Sequence, residues 1–414
     1  MKDFLDFIAT APTSWHAAQE IGKRLTKEGF LPLSEKATWK LEAGKSYFVE
    51  REGTLVCAFR IPKQLPTAVI ILASHTDSPA LKLKPQPDSV SRGIAQLSTE
   101  LYGGPLLHSW FDRDLAIAGK IETDKGSSLV HLSDCPVIIP QLAIHLDRSL
   151  HEKGIMVHKQ DHLKAILSLK EPETLETLLK KKFSFSTLYA FDLYLVPTEQ
   201  ASLSGAHQDL IAGYRIDNLS SAYACLEAIL LAKPRTEQLQ CSIFWDHEEI
   251  GSMSSTGAGS LFVDQVLERI GLGLGQNRED FHRLKSNALI LSADVAHAWN
   301  PNFAEKYDPQ NSPLMGQGVI LKFNASRKYA SDATSIASLC KIAEKQNIPL
   351  QRAANRSDIP SGSTVGPIMS ANTGIPTIDL GVGCWAMHST REIIATSDQQ
   401  DLSRLLKAAL DDWS

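Results

Sequence analysis

The chain contains no CxxC pair. Its six cysteines, Cys57, Cys135, Cys225, Cys241, Cys340 and Cys384, are scattered, so neither a zinc ribbon nor a disulfide framework is indicated, and reduced cytosolic thiols fit best. It also lacks a basic block. The formal charge is −5 with no Lys/Arg stripe, which argues against a nucleic-acid surface and against an anionic membrane surface. No segment approaches the roughly 18 apolar residues that cross a bilayer. The N-terminal MKDFLDFIATAPTSWH carries acids inside its apolar stretch and reads as an amphipathic helix rather than a signal peptide, so the expected compartment is the cytoplasm. Low-complexity tracts and short-period repeats are missing. So are the GxxxxGK[ST] and GxGxxG loops that cradle phosphates. Small molecules or peptides remain as partners.

What is there is a globular composition, 43% hydrophobic and 21% charged, in 414 residues, long enough for two or three domains. The runs TAVIILAS (67–74), CSIFWD (241–246), NALILSAD (287–294), GVILKFN (318–324) and PTIDLG (376–381) read as strands buried on both faces. Helical patterns lie between and after them, at 220–233, 257–271, 331–346 and 401–413. This alternation predicts an α/β fold with a mixed, largely parallel sheet flanked by helices. Residues 86–199 differ, with short alternating segments such as LAIAGKIET and Gly-Gly and Pro punctuation. The expected organisation is a discontinuous α/β domain, 1–85 plus 200–414, that holds a β-rich insertion at 86–199.

Ligands of open α/β sheets bind beyond the carboxyl ends of the strands. In this chain those positions carry ionisable residues again and again. TAVIILAS leads into His75 and Asp77, CSIFW into Asp246, His247, Glu248 and Glu249, and NALILSA into Asp294. The loop after PTIDLG delivers His388, and Asp217 stands just before the helix expected near Ser220. Two imidazoles with three or more carboxylates are the donors that zinc and similar divalent ions take. One ion needs three or four protein ligands, so five candidates point to two ions sharing a carboxylate. Asp77, two residues after His75, is placed to orient that imidazole. Neighbours in an extended segment face opposite ways, so one of Glu248 and Glu249 can ligate while the other works as general base on a metal-bound water; the pattern does not choose between them.

Blander readings stand beside these. An Asp before a helix is commonly its N-cap, a Glu-Glu pair is commonly a solvated loop, and an Asp after a strand commonly begins a turn. A serine nucleophile at Ser363 of SGSTVG ranks well below the metal reading, because the GxSxG elbow is missing.

The segments ASHTDSPALKLKP, YGGPLLHSWFDRDLAIAGK, PQLAIHLDR, GYRIDNLSSAYA, DHEEIGS, SADVAHAWNPN, LKFNASRKYASDA, SGSTVGPI and LGVGCWAMHSTRE together resemble the M18 metallopeptidases, the aspartyl aminopeptidase family. They run from residue 73 to residue 392 in the family's order. The resemblance implies a zinc-peptidase catalytic domain with an inserted dimerisation domain. It implies two Zn2+ per subunit, with Co2+ or Mn2+ as other candidates, and removal of one N-terminal residue, preferentially Asp or Glu, from peptides with a free N-terminus. By motif, His75 and Asp294 resemble ligands of one metal, Glu249 and His388 of the other, and Asp217 the bridging carboxylate. Glu248 matches the general base and Asp77 the residue supporting His75.

His297 is a candidate donor to the tetrahedral oxyanion, and Lys322 and Tyr329 match positions lining the acidic side-chain pocket. His145 resembles a histidine that a neighbouring subunit lends to the active site, and the implied assembly is a homo-oligomer, a dodecamer built from dimers. Ser361 and Asn300 depart from residues that other members carry; neither belongs to the metal set. Two alternatives remain open: a related aminopeptidase with neutral or broad preference, and a metal-stabilised scaffold without activity.

Overall fold

The computed structural model describes residues 1–170 and 173–413. Nine strands form the central sheet: β1 (Leu31–Leu33), β2 (Ser46–Arg51), β3 (Leu55–Arg60), β4 (Ala68–His75), β5 (Gln238–Trp245), β6 (Ala288–Ala293), β7 (Val319–Lys322), β8 (Leu350–Ala353) and β9 (Thr377–Gly381). Their spatial order is β1-β2-β3-β5-β4-β6-β9-β7-β8. The middle four, β5, β4, β6 and β9, are mutually parallel, whereas β3 and β7 pair antiparallel on either side of them. The sheet is therefore mixed, with a parallel centre. Because β5 lies on one side of β4 and β6 on the other, the chain changes direction around β4 and leaves a crevice at the carboxyl ends.

The apolar runs are continuous because both faces are covered. Ile70 and Leu72 of β4 face a cluster with Phe4, Phe7, Leu219, Leu402 and Leu406, while Val69, Ile71 and Ala73 face Phe262, Val266, Leu284 and Met369. Alternation with period two thus feeds two cores. Burying each such Ile or Leu is worth roughly 1.5–3 kcal/mol. Helices Ile216–Leu231, Ala333–Lys345 and Thr396–Asp412 cover the first face, and Phe262–Gly273, Arg278–Ser286 and Val365–Thr373 the second.

The N-terminus differs from the single helix expected. It forms two, Lys2–Thr10 and Ser14–Lys27, since Pro12 biases Ala11 away from helical torsions (φ −119°, ψ 58°). A second sheet, antiparallel and six-stranded, is drawn from residues between Ala80 and Pro197 and encloses a separate core around Trp110, Leu115 and Leu195. A third, small sheet joins Leu210–Gly213 to Glu392–Ala395 and Gly383–Trp385 near the crevice. Among the described residues no helix is long and apolar enough to cross a membrane.

Candidate metal centre

β4 ends on His75, which is only 1% exposed. Its Nδ1 lies 3.1 Å from the Asp77 carbonyl oxygen and 3.3 Å from Asp77 Oδ1, so Nε2 is turned the other way. There it meets Asp217 Oδ1 at 3.5 Å and Asp294 Oδ1 at 3.7 Å. Asp217 sits in the first turn of Ile216–Leu231, where it and Asn218 depart from helical torsions. It caps nothing. Its Oδ1 is buried without a hydrogen-bond partner, and its Oδ2 is 3.4 Å from His388 Nε2. The same His388 nitrogen is 3.4 Å from Glu249 Oε2, and Glu249 Oε1 is likewise buried and unpartnered.

Two triads result, His75 with Asp217 and Asp294, and Asp217 with Glu249 and His388, and they share Asp217. A third grouping joins His75, Glu248 and Glu249. Separations of 3.4–3.7 Å are too long for good hydrogen bonds. They suit the edges of a ligand tetrahedron, since bonds of about 2.0–2.1 Å at tetrahedral angles place two ligand atoms about 3.4 Å apart. Orphaned carboxylate oxygens beside imidazole nitrogens at that spacing fit divalent zinc.

Around the triads lies a frame that orients them. Asp77 Oδ1 accepts from the Glu248 amide and Oδ2 from the Glu249 amide, each at 3.1 Å. One carboxylate thus fixes both the imidazole of His75 and the turn carrying the two glutamates. Oδ2 also accepts the Tyr102 hydroxyl at 2.7 Å. Tyr102 ends strand Ile94–Tyr102 of the second sheet, and Gly104, two residues on, offers its carbonyl to His388 Nδ1 at 3.0 Å. Between them Gly103, at φ +67°, packs so close to Glu249 that a Cβ would stand 3.1 Å from the Glu249 Cβ.

Glu392, buried in the third sheet, accepts from the Asp217 amide at 2.9 Å and from the His388 amide at 2.6 Å. Neither Tyr102 nor Glu392 was singled out from sequence. An ionisable residue heading the otherwise apolar strand EIIA was the available signal for Glu392.

The electrostatics match a cation site. Burial pushes the Glu248 carboxyl up to about 8, and Asp294, Asp77 and Asp217 add to this against the opposing His75. Burial and Asp217 likewise raise Glu249 well above the carboxylate range. Burial would raise Asp217 as well, but His388 and His75 outweigh it and hold the group low. Burial lifts Glu392 to about 8, reinforced by Asp217. A divalent cation would offset the mutual repulsion of so many buried carboxylates.

Beside the triads is a cavity of about 310 Å3 whose lining includes His297, Lys306, Asp308, Lys322, Tyr329 and Arg356. Lys322, 3% exposed, lies 3.5 Å from Asp294 Oδ2 and 5.4 Å from the centre of the Tyr329 ring. Burial disfavours its charge, yet Asp294 and Tyr329 outweigh burial and keep the ammonium. His297 opens onto this cavity. His145 does not join the cluster: it sits on an exposed loop beside the exposed Leu142, Ile144 and Leu146. Asp246 is buried and accepts from the His247 amide, and His247 Nδ1 lies 2.8 Å from the Ser254 hydroxyl, so both brace the loop.

The profile described as Aminopeptidase I zinc metalloprotease (M18) matches residues 7–409. A relative from Streptomyces avermitilis, named probable M18 family aminopeptidase 2, is 38% identical over 420 residues, covering 99% of this chain and 97% of its own. The fold matches a chain in a structure of the Ape4 and Nbr1 complex, with a TM-score of 0.93 and 34% identity over 99% of this chain and 84% of that one. It also matches the mApe1 dodecamer of S. cerevesiae, with a TM-score of 0.86 and 26% identity over 100% of this chain and 96% of that one.

Proposed function

The chain belongs to the M18 family of zinc metalloproteases, aminopeptidases of hydrolase class, and from that premise we propose that it is a two-zinc enzyme removing N-terminal Asp or Glu from peptides in the cytoplasm. The observation that carries this reading is the pair of triads sharing Asp217, with Glu248 in a further grouping beside His75 and Glu249. In this reading His75 and Asp294 would hold one ion and Glu249 and His388 the other, with Asp217 common to both sets. Zinc, when bound, supplies a Lewis acid that lowers the pKa of water and polarises a carbonyl.

The chain's own residues do the rest. Glu248 takes a proton from the attacking water and returns it to the leaving amine. Asp77 holds Glu248 and His75 in register through the contacts described above. His297 donates to the oxygen on which charge develops. Selection of an acidic side chain rests on Lys322 and Tyr329. The cavity is lined by Lys306, Lys322 and Arg356 with Asp308; Lys322 lies beside Asp294 and Arg356 pairs with Asp358 at 2.7 Å, so the buried Lys322 ammonium next to Tyr329 is the feature that favours an acidic side chain. Residues 86–199 serve as the dimerisation insertion of a dodecamer. Through them the exposed His145 reaches a neighbour's site, in keeping with the dodecameric S. cerevesiae structure.

Glu248→Gln is expected to retain both metals and lose turnover; unchanged turnover removes the assignment of the base. A panel of aminoacyl p-nitroanilides tests selection. Faster cleavage of Leu or Ala derivatives than of Asp or Glu would give the place to the neutral or broad aminopeptidase. A metal-loaded oligomer that cleaves none of them would leave only the scaffold, which gives no task to a Glu248 that neither of the two triads sharing Asp217 uses.

A further inference from the structure

The segment SGSTVG (361–366) is not a nucleophile loop: Ser363 donates to the Lys328 carbonyl at 3.3 Å. Its neighbours converge instead on Asp379, a fully buried carboxylate in β9. Thr364 Oγ1 donates to Asp379 Oδ1 at 2.5 Å, and the Ala330 amide, next to Tyr329, donates to Oδ2 at 2.6 Å. The Asp379 amide donates to Ser331 Oγ at 3.0 Å. Gly366 packs against the same carboxylate, where a Cβ would overlap it. Ser361 Oγ then accepts from Asn324 and Asn355, each at 3.0 Å. Asn355 lines the cavity, as do Ile359 and Pro360 on the same stretch, while Asn324 follows Lys322 at the end of β7. Both walls of the cavity are thereby clasped to one strand.

We infer that Asp379 is a positioning residue for substrate selection: through Thr364, Ala330 and Ser331 it holds the two loops that present Tyr329 and Asn355 beside Lys322, the last residue of β7, and so sets which N-terminal side chain the cavity accepts. The clasp touches none of the metal-binding side chains. This inference rests on the reading of the cavity as the side-chain subsite given under Proposed function, and it concerns shape and charge placement rather than the sign of the preference. A buried hydrogen bond to a charged acceptor, once lost, leaves that acceptor to seek another partner, and the loops move to supply it.

The test uses the full-length, metal-loaded protein and the p-nitroanilide panel, with kcat and KM separated for each substrate. Thr364→Val is expected to raise KM for the best substrate about tenfold and to narrow the ratio between best and worst substrates by a similar factor, with kcat within about threefold and metal content unchanged. Thr364→Ser, which keeps the hydroxyl, restores both. Should Thr364→Val not accumulate as folded protein, Ser361→Ala reads the same quantities at a less buried position, with about a threefold effect. A substrate ratio unchanged in the Val variant, a loss confined to kcat, or failure of Ser to restore overturns the inference. If the wild-type enzyme prefers Leu or Ala, the acidic reading fails on its own, while the clasp still stands or falls by whether that preference moves.

Discussion

Replacing Tyr102 by Phe removes one oxygen and tests whether the second sheet holds the metal centre of its own subunit. The hydroxyl donates at 2.7 Å to Asp77 Oδ2 with both residues buried, so water does not readily replace it. A hydrogen bond to a charged group is worth about 1.5–3 kcal/mol, and outer-shell partners of metal ligands typically carry tenfold to hundredfold in metal affinity. Asp77 keeps the Glu248 and Glu249 amides as donors, which places the expected loss near the lower end, about tenfold. Competition against a chromophoric chelator at fixed pH measures the affinity, with circular dichroism confirming the fold. An Asp77→Asn background supplies the control: if the hydroxyl acts through Asp77, Tyr102→Phe costs little more there. Unchanged affinity in the single variant, or an equal loss in both backgrounds, refutes the argument.

Glu248→Gln is expected to lower kcat by about a hundredfold to ten-thousandfold with KM little altered, read by steady-state kinetics on a metal-replete sample. Removing the metals by chelation leaves the Asp217, Glu249 and Asp294 carboxylates facing one another, so a thermal scan is expected to show a melting temperature lower by several degrees, recovered on adding zinc. Gly103→Ala sets a Cβ against Glu249 at positive φ, and reduced metal affinity with a normal spectrum is the expected result. Burial, with His131 and Arg215 nearby, holds the His16 imidazole down at about 4. The unfolded chain takes up that proton near 6.5 and the native chain only near 4, so stability is full above 6.5 and is lost as pH falls toward 4. Denaturant titrations across that window should show a shallower fall in His16→Gln.

Much of the central layer was readable because β4, β5 and β6 are buried on both faces and so appear as largely apolar runs that end abruptly in ionisable residues, while β9 is an equally buried run broken by one acid. Sequence alone could not show that Asp217 would leave the helix torsions around it, since Asp before a helix has a commoner use. Nor could it reveal partners fixed only by tertiary approach. Tyr102 meets Asp77 across 25 positions, Glu392 meets Asp217 across 175, and Lys322 faces Asp294 after an intervening strand and loop. The acid within PTIDLG was visible as a residue in an apolar strand, but its role as an anchor for two loops depends on Thr364 and Ala330, which local pattern cannot bring together.

The span of the candidate metal-binding residues along the chain bears on how the protein is made. His75 emerges from the ribosome early and His388 near the close of synthesis, with Tyr102 and Gly104 translated between them. The grouping of His75, Asp217 and Asp294 can close once Asp294 is made, whereas that of Asp217, Glu249 and His388 has to wait for the loop after β9. A partly synthesised chain therefore has every side chain of one grouping while the other still lacks its histidine.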